Sequence, residues 1–217
     1  SAWHGWVLCR SPGSHELMLR ACGLGVALAI ALASPLLGAR ESGLASPQVA
    51  APTRASLQVK FSPWDDVEGQ VITLLGAARR EVLVQAYSLT SRGIATALMA
   101  AHQRGVSVRL LADREQTISG ESSRIPDLVA AGIEVRIETR YAAAHNKVMV
   151  IDGNLTDSVV LTGSYNWTWS AQNRNAENLL IIRRNKSLAT SYAANWRRHA
   201  EEAVPYSQIR SEPRAVD

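Results

Sequence analysis

Between residues 65 and 139 the apolar residues of this 217-residue chain switch repeatedly between a helical and a strand-like period, and that alternation limits the folds open to it. Asp65 to Arg80 carries Val67, Val71, Leu74 and Leu75 at helical spacing, with acidic residues in its first turn. Glu81 to Leu89 is a β-branched and aliphatic run bounded by turn-formers, and reads as a strand. A helix over Ser91 to Arg104, capped by Ser91, ends before Gly105; a strand covers Val106 to Ala112. Ser122 to Ala131 is a further helix, stopped by Gly132, and Ile133 to Thr139 a third strand. Such a succession predicts an α/β fold, a mixed and largely parallel sheet with helices on both faces. Strands buried on both sides read as continuous apolar runs, as these do.

The last third has a different rhythm. Lys147 to Ile151, Ser158 to Thr162 and Asn178 to Ile182 are three short strands ahead of a final helix, Ser187 to Ala203, and the first two suit a hairpin around Gly153 and Asn154. No repeat of solenoid length is visible.

The first fifty residues differ again. After Met18-Leu19-Arg20 comes a run of small and aliphatic residues, Ala21 to Ala33, with a small-x-small site at Ala31-Leu32-Ala33. This is the pattern of a cleaved secretory signal, and the run is short for a membrane span of about 20 residues. An uncleaved anchor is the alternative. Residues 40 to 56, rich in Ser, Pro and Ala, read as a tether, so residues 1–56 form an N-terminal extension and 57–217 the folded domain. Both cysteines, Cys9 and Cys22, fall in the extension, which leaves the domain without a disulfide or a cysteine metal site. The net charge of +4 includes three Arg and two acidic residues from positions 1–53, leaving 20 basic against 17 acidic residues beyond them. That balance permits a polyanionic partner without requiring one. Three Asn-x-Ser/Thr sequons, at Asn154, Asn166 and Asn185, suit bacterial export to periplasm or medium better than an endoplasmic route, because one coincides with a candidate site residue.

The chemistry is concentrated around the first of the late strands. His145-Asn146-Lys147 is followed by Val148-Met149-Val150-Ile151 and Asp152; Gly163-Ser164-Tyr165-Asn166 comes next, and Glu177 after that. In extended chain alternate residues share a face, so His145 and Lys147 point together and Asp152 has the opposite parity. Imidazole and ammonium would then share one side while Asp152 turns away to a hydrogen-bonding role at the strand end. An isolated His and Lys would read as a packed histidine and a snorkelling lysine. Together with the downstream residues, they resemble the signature of the phospholipase D superfamily: His-x-Lys-x4-Asp, Gly-Ser-x-Asn and a later Glu.

The resemblance spans about Leu57 to Tyr206. It implies a metal-independent phosphodiesterase with no cofactor, in which His145 is a covalent nucleophile and Lys147, Asn166 and the Ser164 hydroxyl hold the phosphoryl oxygens. Glu177 would fix the imidazole tautomer, as the Asp does in hydrolase triads. Asp152 belongs to the motif. One departure is the ten residues, Gly153 to Thr162, between Asp152 and Gly163, where the family usually has about six; the added residues lengthen the hairpin loop. The chain has one copy of the motif and three lysines, Lys60, Lys147 and Lys186, so the resemblance implies a homodimer in which two copies of His145 face each other.

The substrate expected from small bacterial endonucleases of this type is DNA or RNA; a phospholipid or cardiolipin is the alternative. Arg92, Arg114, Arg140 and Arg174 sit where phosphate-contacting side chains often do. Trp167 and Trp169 read as core residues beside Tyr165, rather than as base-stacking platforms. His102 and His199 receive no role.

Overall fold

The computed structural model describes residues 54–120 and 122–211. The expected signal segment and nearly all of the tether therefore lie outside the described residues. Eight strands form one sheet, in the order β1 (Ser56–Ser62), β7 (Glu177–Arg183), β6 (Val159–Gly163), β5 (Lys147–Ile151), β2 (Glu81–Ala86), β3 (Ser107–Asp113), β4 (Glu134–Glu138) and β8 (Val204–Pro205). The helices are α1 (Val67–Gly76), α2 (Arg92–Gln103), α3 (Arg114–Ile118), α4 (Ile125–Ala130), α5 (Trp169–Asn173), α6 (Lys186–Glu202) and α7 (Tyr206–Ser211).

The sheet is mixed and flanked by helices on both faces, as the period changes imply. Its parallel part is smaller than expected, because only β2, β3 and β4 run parallel to their neighbours; every other pairing is antiparallel. Local patterning distinguishes buried from half-buried strands but not which neighbour a strand selects. Here β5 returns beside β2 and reverses the sheet's direction. The β5–β6 hairpin forms as expected, Ile151 opposite Val159.

Alternation along the strands divides the core. Val82, Val84, Met149, Ile151, Leu161 and Leu179 face α1, α2, α4 and α7. Leu83, Leu111, Val148, Val150, Val160 and Ile182 face α6, whose Ala189, Ala193 and Trp196 close over them. Burial of these side chains is worth roughly 1.5–3 kcal/mol each. Ser91 caps α2 by accepting from Ile94 N at 3.0 Å, and Asp66 caps α1, accepting from Gly69 N at 2.8 Å. No helix among the described residues is long and apolar enough to cross a membrane.

Candidate active site

The motif residues other than Asp152 collect at one end of the sheet, where β2 and β6 finish and β5 and β7 begin. Lys147 opens β5 in the middle of the sheet, pairing with Ala86, and Tyr87 N continues that ladder by donating to Asn146 O at 3.0 Å. The position leaves Lys147 only 6% exposed. His145, two residues earlier, is exposed. Lys147 Nζ lies 2.9 Å from His145 Nδ1 and 2.9 Å from His145 O. The shared face read from the sequence is therefore present.

An ammonium has no acceptor lone pair, so in this contact it donates and Nδ1 accepts. Burial pulls the Lys147 ammonium below its ordinary pKa, and the negative charges of Glu177 and Asp113 oppose that pull. Glu177 thus acts on the lysine through charge. Its own Oε1 accepts from Asn175 Nδ2 at 2.9 Å. In this arrangement Lys147 stands at Nδ1 of His145, and Glu177 reaches the site through its charge.

Gly163 closes β6 where the backbone passes β7 very closely. A Cβ there would stand 2.3 Å from Asn178 O, and the φ of +154° lies outside the usual range of L residues, so the Gly of Gly-Ser-x-Asn is a steric requirement. Ser164 Oγ accepts from Asn178 N at 3.0 Å and Asn178 Nδ2 at 3.2 Å, so its hydroxyl oxygen is occupied in holding the strand ends. Asn166 differs: its Oδ1 is buried with no hydrogen-bond partner. Such a group costs about 1–3 kcal/mol unless something completes it. Trp167 fixes the segment, fully buried, with Nε1 donating to Gln85 O at 3.1 Å, while its carbonyl accepts from Thr90 N and Ser91 N.

Asp152 is not brought to this cluster. It ends β5 at the far side of the sheet, about 16 Å away at strand rise. Its Oδ1 accepts from Arg80 N at 2.7 Å and Glu81 N at 3.0 Å, and its Oδ2 from Arg79 N at 3.0 Å. With φ of +52°, Asp152 turns the chain and ties the α1–β2 connection to the hairpin. A catalytic role, taken from the motif, gives way to the structural one that parity suggested. The lengthened loop stays at this end too, where Asn154 and Asp157 line a cleft of about 720 Å³ with Arg79 and Arg80.

Sequence reasoning missed two residues beside the nucleophile. The Tyr87 ring lies 4.3 Å from the His145 ring and 4.6 Å from Lys147 Nζ, centroid distances that place one aromatic against both groups. Asp113, buried at the end of β3, accepts from Ala144 N at 2.8 Å and caps α3 through Gln116 N at 2.9 Å. The loop leading to His145 is held there. Both signals were present, since each residue directly follows an apolar strand run, at the end where open α/β sheets bind ligands. His199, given no role, pairs with buried Glu138 at 2.5 Å, whose carboxyl is raised by burial. Trp167 is core as expected; Trp169 is 52% exposed, with the Arg174 guanidinium 5.2 Å from its ring. Arg140 pairs with Glu202 at 2.9 Å.

Residues 71–200 match the family model described as "Cardiolipin synthase, PLD-like domain". The chain belongs to the phospholipase D superfamily. It is similar to a phospholipase D of Rickettsia prowazekii, 38% identical over 144 residues that make up 66% of this chain and 67% of that one. A mitochondrial cardiolipin hydrolase of Xenopus tropicalis is 32% identical over 143 residues, 66% of this chain and 65% of that one. Among solved structures, Nuc of Salmonella typhimurium, a phospholipase D family member, superposes with a TM-score of 0.66 at 30% identity, covering 70% of this chain and 99% of that one. The protein is accordingly a phosphodiester hydrolase of this superfamily.

Proposed function

We propose that this phosphodiesterase is a metal-independent endonuclease that cleaves DNA or RNA with little sequence preference through a phosphohistidine on His145. The observation that carries the reading is an exposed imidazole held against a buried ammonium at 2.9 Å. An arriving phosphate draws Lys147 toward its own oxygens, Nδ1 takes the ring proton, and the Nε2 lone pair becomes free. Nε2 attacks phosphorus and the bond to the leaving oxygen breaks. A second imidazole, from His145 of another copy, gives that oxygen its proton. Water then surrenders a proton to the second imidazole and attacks the phosphohistidine, breaking the P–N bond and regenerating His145. Lys147 and Asn166 hold the non-bridging oxygens as charge accumulates, and Glu177 sustains the positive charge of the site. Ser164 supports the strand ends. Export to the periplasm or medium after signal cleavage belongs to the same reading.

The likeness to Nuc supports a nucleic-acid substrate. The likeness to phospholipase D and cardiolipin hydrolase supports a second reading, the same chemistry on a phospholipid. Plasmid DNA, structured RNA and cardiolipin vesicles, assayed in parallel with EDTA, separate them. Cleavage of nucleic acid that survives chelation is expected. Turnover of cardiolipin alone, or a loss on chelation restored by a divalent ion, would overturn the nuclease reading.

A further inference from the structure

His145 is exposed, and the second torsion of a histidine side chain has a broad minimum, so one hydrogen bond does not keep its ring still. Lys147 supplies that one bond, at 2.9 Å. A phosphate that draws the ammonium to its own oxygens removes it. The remaining contact is Tyr87. The β2–β5 ladder pairs this residue with Asn146, Tyr87 N donating to Asn146 O at 3.0 Å, and the chain bends there. Its half-buried ring lies 4.3 Å from the His145 ring, tilted by 53°, and 4.6 Å from Lys147 Nζ. One ring thus touches both neighbours of the residue with which its own backbone is paired.

The ring is tied down in turn. Gln116 Nε2 on α3 donates to Tyr87 Oη at 3.3 Å, the longest of these contacts. Gln116 N donates to Asp113 Oδ1 at 2.9 Å. Asp113 Oδ2 accepts from Ala144 N at 2.8 Å, one residue before the nucleophile. The contacts close a circuit, from Tyr87 through Gln116 and Asp113 to Ala144, then to His145 and back to the Tyr87 ring. Segments far apart in sequence converge in this way on one imidazole.

We infer that Tyr87 is a positioning residue for the phosphodiesterase reaction, its ring being the wall that holds the His145 imidazole in the orientation from which Nε2 meets phosphorus. The inference rests on the reading of His145 as nucleophile; it holds for a nucleic-acid and a lipid diester alike. Reacting atoms must stand about 3–3.5 Å apart and aligned, and a misplacement of about 1 Å costs on the order of 10²-fold. An uncharged wall suits the task, because it neither titrates with the imidazole nor competes with a phosphate for the ammonium. Its π face attracts a cation within about 6 Å, so Lys147 can turn toward phosphoryl oxygens without leaving the ring. The role belongs to the ring and not to the hydroxyl, which is engaged by Gln116.

The test compares the full chain with Tyr87→Phe, Tyr87→Leu, Gln116→Ala and His145→Ala on bis(p-nitrophenyl) phosphate, a small diester with neither base nor acyl chain. Thermal unfolding of each preparation shows which variants fold. Tyr87→Leu should lower kcat about 10- to 100-fold with KM within about twofold, the split left when orientation rather than binding is lost. Tyr87→Phe, which keeps the ring, should recover most of that loss. Gln116→Ala removes the tie and leaves the ring, so it should show the same split at a smaller size; it carries the comparison if the Leu variant does not fold. A second measurement needs no turnover. Relaxation of the His145 ring carbons, assigned by their absence from His145→Ala, should give an order parameter near about 0.85 in wild type and Tyr87→Phe and below about 0.6 in Tyr87→Leu. A ring as mobile in wild type as in Tyr87→Leu, or as ordered in Tyr87→Leu as in wild type, would overturn the inference. A Tyr87→Phe protein as slow as Tyr87→Leu would overturn it too, by giving the effect to the hydroxyl. His145→Ala at the wild-type rate would bring down the nucleophile instead, and the ring relaxation would still report on Tyr87.

Discussion

The two ends of strand β5 carry residues of one motif and treat them in opposite ways. At the far end, the carboxylate of Asp152 accepts three backbone N–H groups and is 5% exposed. At the near end, Lys147 is buried against its ordinary ionisation and Asn166 Oδ1 has no partner. One end has spent its hydrogen-bonding capacity on the fold. The other holds capacity in reserve, at a cost in stability, as sites that wait for a substrate commonly do. The difference separates residues within a sequence signature that motif matching treats alike.

The largest effect should come from the near end. His145→Ala removes the nucleophile and should lower phosphodiester cleavage by about 10³-fold or more. Lys147→Met keeps the buried stem and removes the charge; turnover should fall about 10²- to 10³-fold while the melting temperature holds or rises. Both are read by initial rates and thermal unfolding of the same preparations. A Lys147→Met variant that unfolds early yet retains activity would reverse the contrast between the ends.

Asp152→Ala is the counterpart. Hydrogen bonds to a charged group are worth about 1.5–3 kcal/mol each and are not additive, so a loss of about 3–5 kcal/mol is expected in denaturant unfolding. Asp152→Asn, which tolerates the positive φ but keeps one acceptor oxygen, should lose less. The rate per folded molecule should stay within a few-fold of wild type. An Asp152→Asn protein of full stability and no activity would return this residue to the chemistry.

The sequence and the structure agree best where periodicity is strong. Strand β2, helix α2 and the β5–β6 hairpin follow from apolar spacing and turn residues, the His145–Lys147 pairing follows from strand parity, and the rest of the near-end cluster follows from the family resemblance. Strand β1 carries an alternating pattern too, but it adjoins a Ser- and Pro-rich tether, and in the sequence it is not distinguished from that boundary. The antiparallel half of the sheet was hidden for another reason, because pairing partners are chosen by distant segments. Long-range contacts also explain Tyr87 and Asp113, which meet the site from the ends of β2 and β3, and the Glu138–His199 pair, which joins β4 to α6. Trp169 shows the limit of composition. It shares an aromatic-rich stretch with Trp167, yet Trp167 is buried ahead of α5 and Trp169, the first residue of that helix, stays at the surface.

A smaller effect is expected at Glu177, whose carboxylate acts at a distance. Glu177→Gln should slow turnover about 10- to 100-fold, within the usual reach of one electrostatic contact, and leave nucleic-acid affinity and folding nearly unchanged. Single-turnover rates and equilibrium binding distinguish these. Equal losses in rate and affinity would make Glu177 a binding or structural residue.

The smallest effect is a displacement along the pH axis, and it bears most directly on why the lysine is buried. Burial lowers the Lys147 pKa, so with rising pH the ammonium discharges earlier than an ordinary lysine, whose pKa is about 10.4. Catalysis needs the charged form. Activity should therefore be present below the lowered pKa and fall as pH rises through it, giving an alkaline limb below the usual lysine range. Stability has the opposite sign. The unfolded chain binds this proton more tightly than the fold does, so at low pH the charged lysine is a burden on the folded state. That burden is relieved as pH rises from the folded toward the unfolded pKa. Glu177 opposes the lowering, so Glu177→Gln should move the alkaline limb to still lower pH. Lys147→Arg, which does not titrate in this range, should remove the limb while keeping some activity. A limb unmoved in both variants would show that another group sets it, and that the buried ammonium of the near end is structural after all.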